Sequence, residues 1–195
     1  MISVDEKYMR MCFALAKKGY GKVAPNPMVG CVVLDSDGNL ISKGYHKKYG
    51  ENHAERDALL KLKNNEAEGG TLYVNLEPCS HFGKTPPCVD LIIKHKLKRV
   101  VIGMKDVNPK VDGITKLKAA GIEVDCVLEE EARFLNRMFI KTMTEKMPYV
   151  VLKTASTMDG KIASKTGSSK WITSETARKE VYRMRKEFDL SLIHI

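Results

Sequence analysis

The spacing of hydrophobic residues along the chain changes repeatedly between the period of a helix and that of a strand. Apolar side chains three or four positions apart predict a helix over residues 5–18. Two β-rich runs, 29–34 and 40–45, lie on either side of the turn-forming segment 36–39. We therefore predict a helix followed by a β-hairpin at the start of the chain.

Helix and strand patterns continue to alternate up to residue 146. The predicted elements are, in order, helix 53–63, strand 71–76, helix 88–96, strand 99–104, helix 114–120, strand 122–127 and helix 129–146. Strands separated by helices commonly pair in parallel, because the intervening helix packs back on the sheet. The pattern therefore predicts an α/β sandwich with an at least partly parallel sheet and functional groups at the carboxyl ends of its strands.

A Met-Pro pair at 147–148 separates this region from a second one. We place the first domain at residues 1–146 and the second at 149–195, with a strand at 149–154 and a helix at 174–188. So short a segment buries too little surface to form a stable core by itself. We therefore predict that the second domain is incomplete.

Composition narrows the class of protein. With 195 residues, 43% of them hydrophobic, the chain can bury one substantial core. The sequence has no apolar run of about eighteen residues and no charged-then-apolar leader, which favours a cytoplasmic protein without a membrane span. Five cysteines without the spacing of a disulfide scaffold indicate reduced thiols, and we expect Cys12, Cys31 and Cys126 to be core residues.

The net charge of +9 arises from 33 basic and 24 acidic residues. The lysines are dispersed and are not interleaved with aromatic residues of the kind that stack on bases. We therefore expect a mainly solvated basic surface, which suits a phosphorylated small molecule better than nucleic acid. The sequence leaves the oligomeric state open, including a homo-oligomer.

The strongest chemical signal is the set His53, Glu55, Cys79 and Cys88. An imidazole and two thiolates are ligands that zinc prefers, and three protein ligands leave the fourth tetrahedral position for water. Zinc lowers the pKa of such a water to about 7. In zinc deaminases the Glu of H-x-E binds no metal and carries the proton. The set therefore predicts hydrolytic deamination, with Glu55 as the proton carrier.

Eight residues separate the two cysteines, whereas the commonest nucleoside and tRNA deaminases hold both within one helical turn as C-x-x-C. The Pro-Pro pair at 86–87 suits a loop that enters a helix at Cys88. The helix dipole, equivalent to roughly half a positive charge, would favour a thiolate at Cys88. The loop also brings His81 and Lys84 near the metal, where they can contact substrate.

With these motifs the chain resembles the bifunctional deaminase/reductase of riboflavin biosynthesis, which processes the pyrimidine formed by opening GTP. The matching motifs are N-P-x-V-G at 26–30, G-x-x-H-A-E at 50–55, E-P-C-S-H-x-G-K-T-P-P-C at 77–88, D-x-N-P at 106–109 and a reductase-like stretch at 153–173. The resemblance implies a three-layer α/β/α cytidine-deaminase-like domain with a mixed sheet. It also implies that this domain is followed by the start of a dihydrofolate-reductase-like α/β domain that uses NADPH.

The resemblance further implies individual contacts in both domains. The residues implied to contact the deaminase substrate are Asn26, His46, His81, Lys84, Asp106 and Asn108. In the reductase domain, those implied to contact NADPH are Ala155 and Trp171, and those implied to contact substrate are Ser169 and Arg185. Ordinary structural roles compete with these assignments, namely turn formation, solvation at a loop or strand end and, for Trp171, core packing.

The predicted function is the zinc-dependent deamination of 2,5-diamino-6-(5-phosphoribosylamino)pyrimidin-4-one, with zinc held by His53, Cys79 and Cys88. The resemblance implies NADPH-dependent reduction of the product's ribose, which we expect to be absent from so short a second domain. Two alternatives stay open. One is a deaminase of nucleobases or tRNA, which the long gap between the cysteines disfavours. The other is a non-catalytic zinc-binding module, which would need a fourth protein ligand.

Overall fold

A mixed five-stranded β-sheet lies at the centre of the first unit. The computed structural model describes residues 2–63, 65–82, 86–188 and 190, and it divides into the units Met1–Pro148 and Tyr149–Ile195. The strands are β1 (Gly30–Leu34), β2 (Leu40–Tyr45), β3 (Thr71–Val74), β4 (Arg99–Ile102) and β5 (Glu123–Cys126). The helices are α1 (Val4–Ala16), α2 (Ala54–Leu59), α3 (Cys88–Lys94), α4 (Gly113–Ala119), α5 (Glu129–Leu135), α6 (Arg137–Glu145) and, in the second unit, α7 (Glu175–Arg185).

The strands are arranged in the order β2-β1-β3-β4-β5. β1 pairs antiparallel with both β2 and β3, whereas β3, β4 and β5 run parallel. The antiparallel half contains the predicted hairpin, and the parallel half has a helix between each pair of successive strands. The prediction of a mixed sheet is therefore confirmed, and the carboxyl ends of β3 and β4 lie at the same end of it.

Helices cover both faces of the sheet and produce the predicted three layers. On one face α1 packs on β1 and β3, where Gly30 lies so close to the backbone of Cys12 that a Cβ would collide. On the other face α2 packs on β1 and β2, and the hydroxyl of Ser42 in β2 donates to the carbonyl of Ala58 in α2 at 2.7 Å. Strand β1 is buried along its whole length and forms the middle of the core.

Helix α2 is shorter than the predicted helix 53–63, because it ends at Leu59. The following N–H groups bond three residues back, Lys61 to Ala58 and Leu62 to Leu59, so that the last turn tightens. The start is as predicted, since His53 is the N-cap and the first turn of the helix follows it.

The predicted helix 129–146 is divided into α5 and α6 at Asn136. The side chain of Asn136 is 2% exposed and bonds to the backbone of Met28. Helical periodicity continues across this point in the sequence, so the division could not be predicted from spacing. A long-range hydrogen-bonded contact decided it.

Two of the three cysteines expected in the core are buried there, Cys12 and Cys31. The expectation for Cys126 is wrong, since this residue is exposed. It lies in β5, an edge strand whose residues are mostly exposed. An apolar run can therefore form an exposed strand at a sheet edge. Its sequence pattern alone does not distinguish it from a buried strand.

In the second unit, α7 begins after Ser174, whose hydroxyl accepts the N–H of Ala177, and ends at Arg185. The helix predicted at 174–188 is thus present and shorter. The strand predicted over 149–154 is wrong, because these residues find no partner strand among the described residues, and a strand needs one to bond its backbone. Neither α7 nor any other helix in the described ranges is long and apolar enough to cross a membrane.

Candidate metal centre

Three elements of the first unit bring His53, Cys79 and Cys88 together. His53 is the N-cap of α2, Cys79 follows the end of β3, and Cys88 is the first residue of α3. The N–H of Val89 donates to the carbonyl of Cys79 at 3.2 Å, which holds the start of α3 against the segment after β3. The two cysteines are therefore adjacent in space despite the eight-residue loop between them.

The three side chains form a compact triangle of ligand atoms. Their nitrogen and sulfur atoms all lie within 4.8 Å of one another. His53 Nδ1 is 3.4 Å from Cys79 Sγ and 3.5 Å from Cys88 Sγ. Two ligands of a tetrahedral zinc ion, one at a Zn–N and one at a Zn–S bond length, are separated by about 3.5 Å. One nitrogen and two sulfurs at this spacing fit zinc, with Nδ1 as the ligating imidazole atom.

The two thiols differ in acidity. The pKa of Cys79 is lowered, first by a hydrogen bond from the Cys88 side chain and further by His53 and the Cys88 backbone. The pKa of Cys88 is raised by the Cys79 sulfur and by burial. The N–H of Cys88 at the start of α3 points at Cys79 Sγ, 3.3 Å away. The N–H at the helix start therefore favours negative charge on the Cys79 sulfur. Zinc bound by both sulfurs would hold both as thiolates, so the thiolate expected at Cys88 stays a prediction.

Glu55 lies in the first turn of α2 and is only 3% exposed. Burial raises the pKa of its carboxyl to about 7, and the negative Cys79 sulfur adds to this rise. The carboxyl is within hydrogen-bonding reach of the Cys88 side chain but is not part of the ligand triangle. A buried carboxyl beside the metal ligands is suited to proton transfer rather than to metal binding.

Asn26 and His46 form a hydrogen-bonded pair beside the triangle. His46 Nδ1 is 3.0 Å from the carbonyl oxygen of Asn52, which can only accept, so Nδ1 carries the proton. Nε2 then accepts from the Asn26 amide at 3.1 Å. Burial lowers the pKa of His46, and its ring packs edge-on against that of His53, with centroids 5.6 Å apart. His46 is a buried, neutral residue rather than a solvated strand end.

Asp106 and Asn108 lie in the loop after β4, and both shape that loop. Asp106 Oδ1 accepts the N–H of Asn108 at 2.8 Å, and Asn108 Oδ1 accepts the N–H of Lys110 at 3.1 Å. Burial raises the pKa of Asp106, an effect to which the neighbouring Glu77 carboxylate adds. The turn-forming role weighed from the sequence is therefore present at both positions.

His81 is half-buried, and its Nδ1 has no hydrogen-bond partner among the described residues. His81 opposes the rise in the pKa of Asp106, so the two side chains lie within electrostatic range of each other. Lys84, the other predicted contact of this loop, lies outside the described residues. The cluster thus contains Asn26, His46, His81 and Asp106 near the metal ligands, and the substrate roles of these residues stay predictions.

In the second unit, Trp171 is 70% exposed and therefore is not a core residue there. The guanidinium group of Arg178 lies 4.3 Å from the centroid of its indole ring. Ala155 is partly buried, whereas Ser169 and Arg185 are exposed. The hydrogen bonds and ring contacts described for the second unit do not join these four residues to one another. Their roles in binding NADPH and substrate stay predictions.

Sequence reasoning missed Glu77, which is 7% exposed and accepts hydrogen bonds from three backbone N–H groups. It also missed Asn75, whose amide bonds to the N–H of Gly30 and to the carbonyl of Met28. Both residues follow β3, where polar residues interrupt an apolar run. That interruption at a strand's carboxyl end was a signal that could have identified them.

Comparison with known proteins agrees with the geometry of this cluster. The model of the cytidine and deoxycytidylate deaminase zinc-binding region matches residues 2–104, which contain His53, Glu55, Cys79 and Cys88. The chain belongs to this deaminase family. A second family model, that of the RibD C-terminal domain, matches residues 148–194.

Two of the relatives that the chain matches are bacterial riboflavin biosynthesis proteins named RibD. The chain is 49% identical to that of Aquifex aeolicus over 195 residues, which cover 98% of this chain and 54% of the relative. It is 44% identical to that of Escherichia coli over 186 residues, covering 94% of this chain and 50% of the relative. The chain thus spans about half the length of the curated relatives it matches.

Solved structures give the same result. The diaminohydroxyphosphoribosylaminopyrimidine deaminase/5-amino-6-(5-phosphoribosylamino)uracil reductase of Thermotoga maritima is similar with a TM-score of 0.87 at 50% identity, covering 93% of this chain and 52% of that one. RibD of Acinetobacter baumannii gives a TM-score of 0.86 at 45% identity, covering 94% and 52%. The predicted resemblance and fold class are confirmed.

Proposed function

We propose that this chain deaminates 2,5-diamino-6-(5-phosphoribosylamino)pyrimidin-4-one hydrolytically, with zinc as cofactor. The observation that carries the proposal is the triangle of His53, Cys79 and Cys88 with the buried carboxyl of Glu55 beside it. The deaminase reductase of Thermotoga maritima, which the chain resembles along most of its own length, supports the choice of substrate.

His53 would bind zinc through Nδ1, and Cys79 and Cys88 through their sulfurs. A zinc ion there would activate a water molecule for attack on the amino-substituted ring carbon. Glu55 would be the group that carries a proton to the departing amino group, which leaves as ammonia. Burial of Glu55 keeps bulk water from competing as a proton carrier.

The polar groups around the triangle are assigned to substrate. The amide of Asn26 is oriented by its bond to His46, and His46 is held in one tautomer by Asn52. His81 and Asp106 lie within electrostatic range of each other, and Asp106 also lies within electrostatic range of Cys79. We assign hydrogen bonds to the ring's nitrogen and oxygen atoms to these groups, together with Asn108, and recognition of the phosphoribosyl group to Lys84.

The RibD C-terminal match supports a reductase role for the second unit. In a polypeptide of the length of the bacterial relatives, we assign Ala155 and Trp171 to NADPH, and Ser169 and Arg185 to the deaminated substrate. We also place the protein in the cytoplasm, because five cysteines without the spacing of a disulfide scaffold, two of them at a candidate metal site, suit a reducing compartment.

The decisive experiment measures ammonia release by zinc-loaded protein from the phosphoribosyl diaminopyrimidine, cytidine, adenosine and tRNA. Release from the diaminopyrimidine alone is the expected result. Release from a nucleoside or from tRNA would assign the chain to the other class of deaminase. Zinc binding without release from any of them would identify a non-catalytic zinc module.

A further inference from the structure

Glu77 connects the strand that precedes the metal ligand Cys79 to the loop that follows β4. Its Oε2 accepts the N–H of Asp106 at 3.1 Å. Its Oε1 accepts the N–H groups of Gly113 at 2.8 Å and Ile114 at 3.0 Å. One buried carboxylate thus binds both ends of the segment 106–114.

Further contacts of the segment 77–80 reinforce this junction. The hydroxyl of Ser80 accepts the N–H of Asp112 at 2.7 Å. Gly113 lies against the carbonyl of Pro78 so closely that a Cβ would collide with it. The N–H of Glu77 itself donates to the carbonyl of Met104 at 2.9 Å. Segment 77–80 and the loop after β4 are therefore packed as one body.

The unit formed by segment 77–80 and the loop after β4 contains both a candidate metal ligand and a residue assigned to substrate. Cys79 is one of the three candidate zinc ligands, and Asp106 is in the loop assigned to substrate. We propose that Glu77 is a positioning residue that sets the place of Asp106, and hence of the bound pyrimidine, relative to the metal. The proposal rests on the proposed function, since it assigns a role within the same deamination site.

The chemistry of the carboxylate explains why a glutamate suits this place. All three partners of Glu77 are N–H donors, and the two oxygens of a carboxylate only accept. An amide of the same size has one accepting oxygen and one donating nitrogen. In Glu77→Gln the oxygen can stay with Gly113 and Ile114, at the start of α4, while the nitrogen faces the N–H of Asp106.

Glu77→Gln therefore separates the positioning role from a merely structural one. We expect full zinc content, faster hydrogen exchange at the amide of Asp106 and unchanged exchange at Gly113 and Ile114. KM for the diaminopyrimidine should rise about 10- to 100-fold, the loss expected for one charge-assisted hydrogen bond. Because Glu55 and the metal ligands stay in place, kcat should change by less than about threefold, well below the effect of losing a proton carrier.

A matched control is Glu6→Gln. The Oε2 of Glu6 also accepts a backbone N–H, that of Ser3 at 2.9 Å, but at the start of α1. This variant should keep the KM and kcat of the unaltered chain. Zinc loss, or a fall of kcat without a rise of KM, in Glu77→Gln would overturn the positioning role, as would an unchanged KM.

The two proposals fail in different ways. An unaltered chain that releases no ammonia from the diaminopyrimidine contradicts the proposed function. Amide exchange needs no substrate, so it decides independently whether Glu77 holds Asp106. Equal exchange at the Asp106 amide in the unaltered chain and in Glu77→Gln would reject that contact whatever the substrate is.

Discussion

The side chain of Asn136 pairs with the backbone of Met28, which is 108 residues away in the sequence. Its Oδ1 accepts the Met28 N–H at 2.8 Å, and its Nδ2 donates to the Met28 carbonyl at 3.0 Å. Met28 follows Asn26 and Pro27 in the loop that borders the candidate metal centre. The junction between α5 and α6 therefore holds this loop in place.

Asn136→Asp tests this pairing. The carboxylate can still accept the Met28 N–H, but its second oxygen would face the Met28 carbonyl in a buried place. We expect the free energy of unfolding to fall by about 1–3 kcal/mol, measured by urea denaturation. Asn65→Asp is the control at an exposed position, with a change within about 0.5 kcal/mol. Equal stability of the two variants would contradict the role of Asn136.

Cys88→Ser tests the metal site. Removing one of three protein ligands should lose most of the bound zinc, because the remaining His53 and Cys79 cannot complete a tight site. Metal analysis of the purified protein measures the loss. Cys126→Ser, at the exposed cysteine outside the triangle, should keep one zinc per chain. Full zinc content in Cys88→Ser would remove Cys88 from the site.

Glu55→Gln tests the proton carrier. The amide fills the same buried volume but cannot take up and release a proton, so the variant should keep its zinc. Deamination should fall by about 100-fold or more. Ammonia release and zinc content are measured on the same sample, with Glu123→Gln in the exposed strand β5 as the control. Near-unaltered turnover in Glu55→Gln would exclude this assignment.

Asp5→Asn tests a contact that stabilises the fold away from the site. The Asp5 carboxylate accepts two hydrogen bonds from Arg99, both at 2.9 Å, and one from the Tyr73 hydroxyl at 2.7 Å. The Arg99 bonds are the main cause that lowers the pKa of Asp5, and the Tyr73 bond also lowers it. The stabilisation is therefore complete above about pH 3.9, which is the pKa of an Asp carboxyl in the unfolded chain. It is lost as the pH falls through the lower pKa of Asp5 in the folded chain.

At neutral pH we expect Asp5→Asn to lower the free energy of unfolding by about 1 kcal/mol, since the pair is partly exposed. Urea denaturation at a series of pH values should show this difference shrinking below about pH 4. Asp37→Asn, in the exposed hairpin turn, is the control and should change the free energy of unfolding by no more than about 0.5 kcal/mol at neutral pH. A difference that grows towards acid pH would contradict the pKa direction.

A polypeptide of these 195 residues should deaminate without reducing. A nicotinamide cofactor needs a cleft formed by several elements, and the described residues of the second unit contain one helix and no strand. Trp171 is the only tryptophan and is exposed, so its fluorescence reports binding nearby. We expect no saturable fluorescence change with NADPH. Saturable binding, or NADPH oxidation coupled to the deaminated product, would contradict the prediction.

Much of the fold followed from local patterns. Helix α1 and the β1–β2 hairpin were predicted almost to the residue, because periodicity and turn residues act over a few positions. The C-terminal end of α2 and the strand at 149–154 were predicted less well. Both depend on which partners the backbone groups find, and those partners lie elsewhere in the chain.

The sequence by itself determined the candidate ligand set, since His53, Glu55, Cys79 and Cys88 are recognisable from residue type and spacing. Tertiary structure alone decided that the N–H of Cys88 points at the sulfur of Cys79, and which buried polar groups hold the loops that contain Met28 and Asp106. Glu77 bonds to Asp106 across 29 residues, and Asn136 to Met28 across 108. No local spacing rule describes such contacts, because a buried polar group takes whichever donor or acceptor the folded chain brings within hydrogen-bond distance.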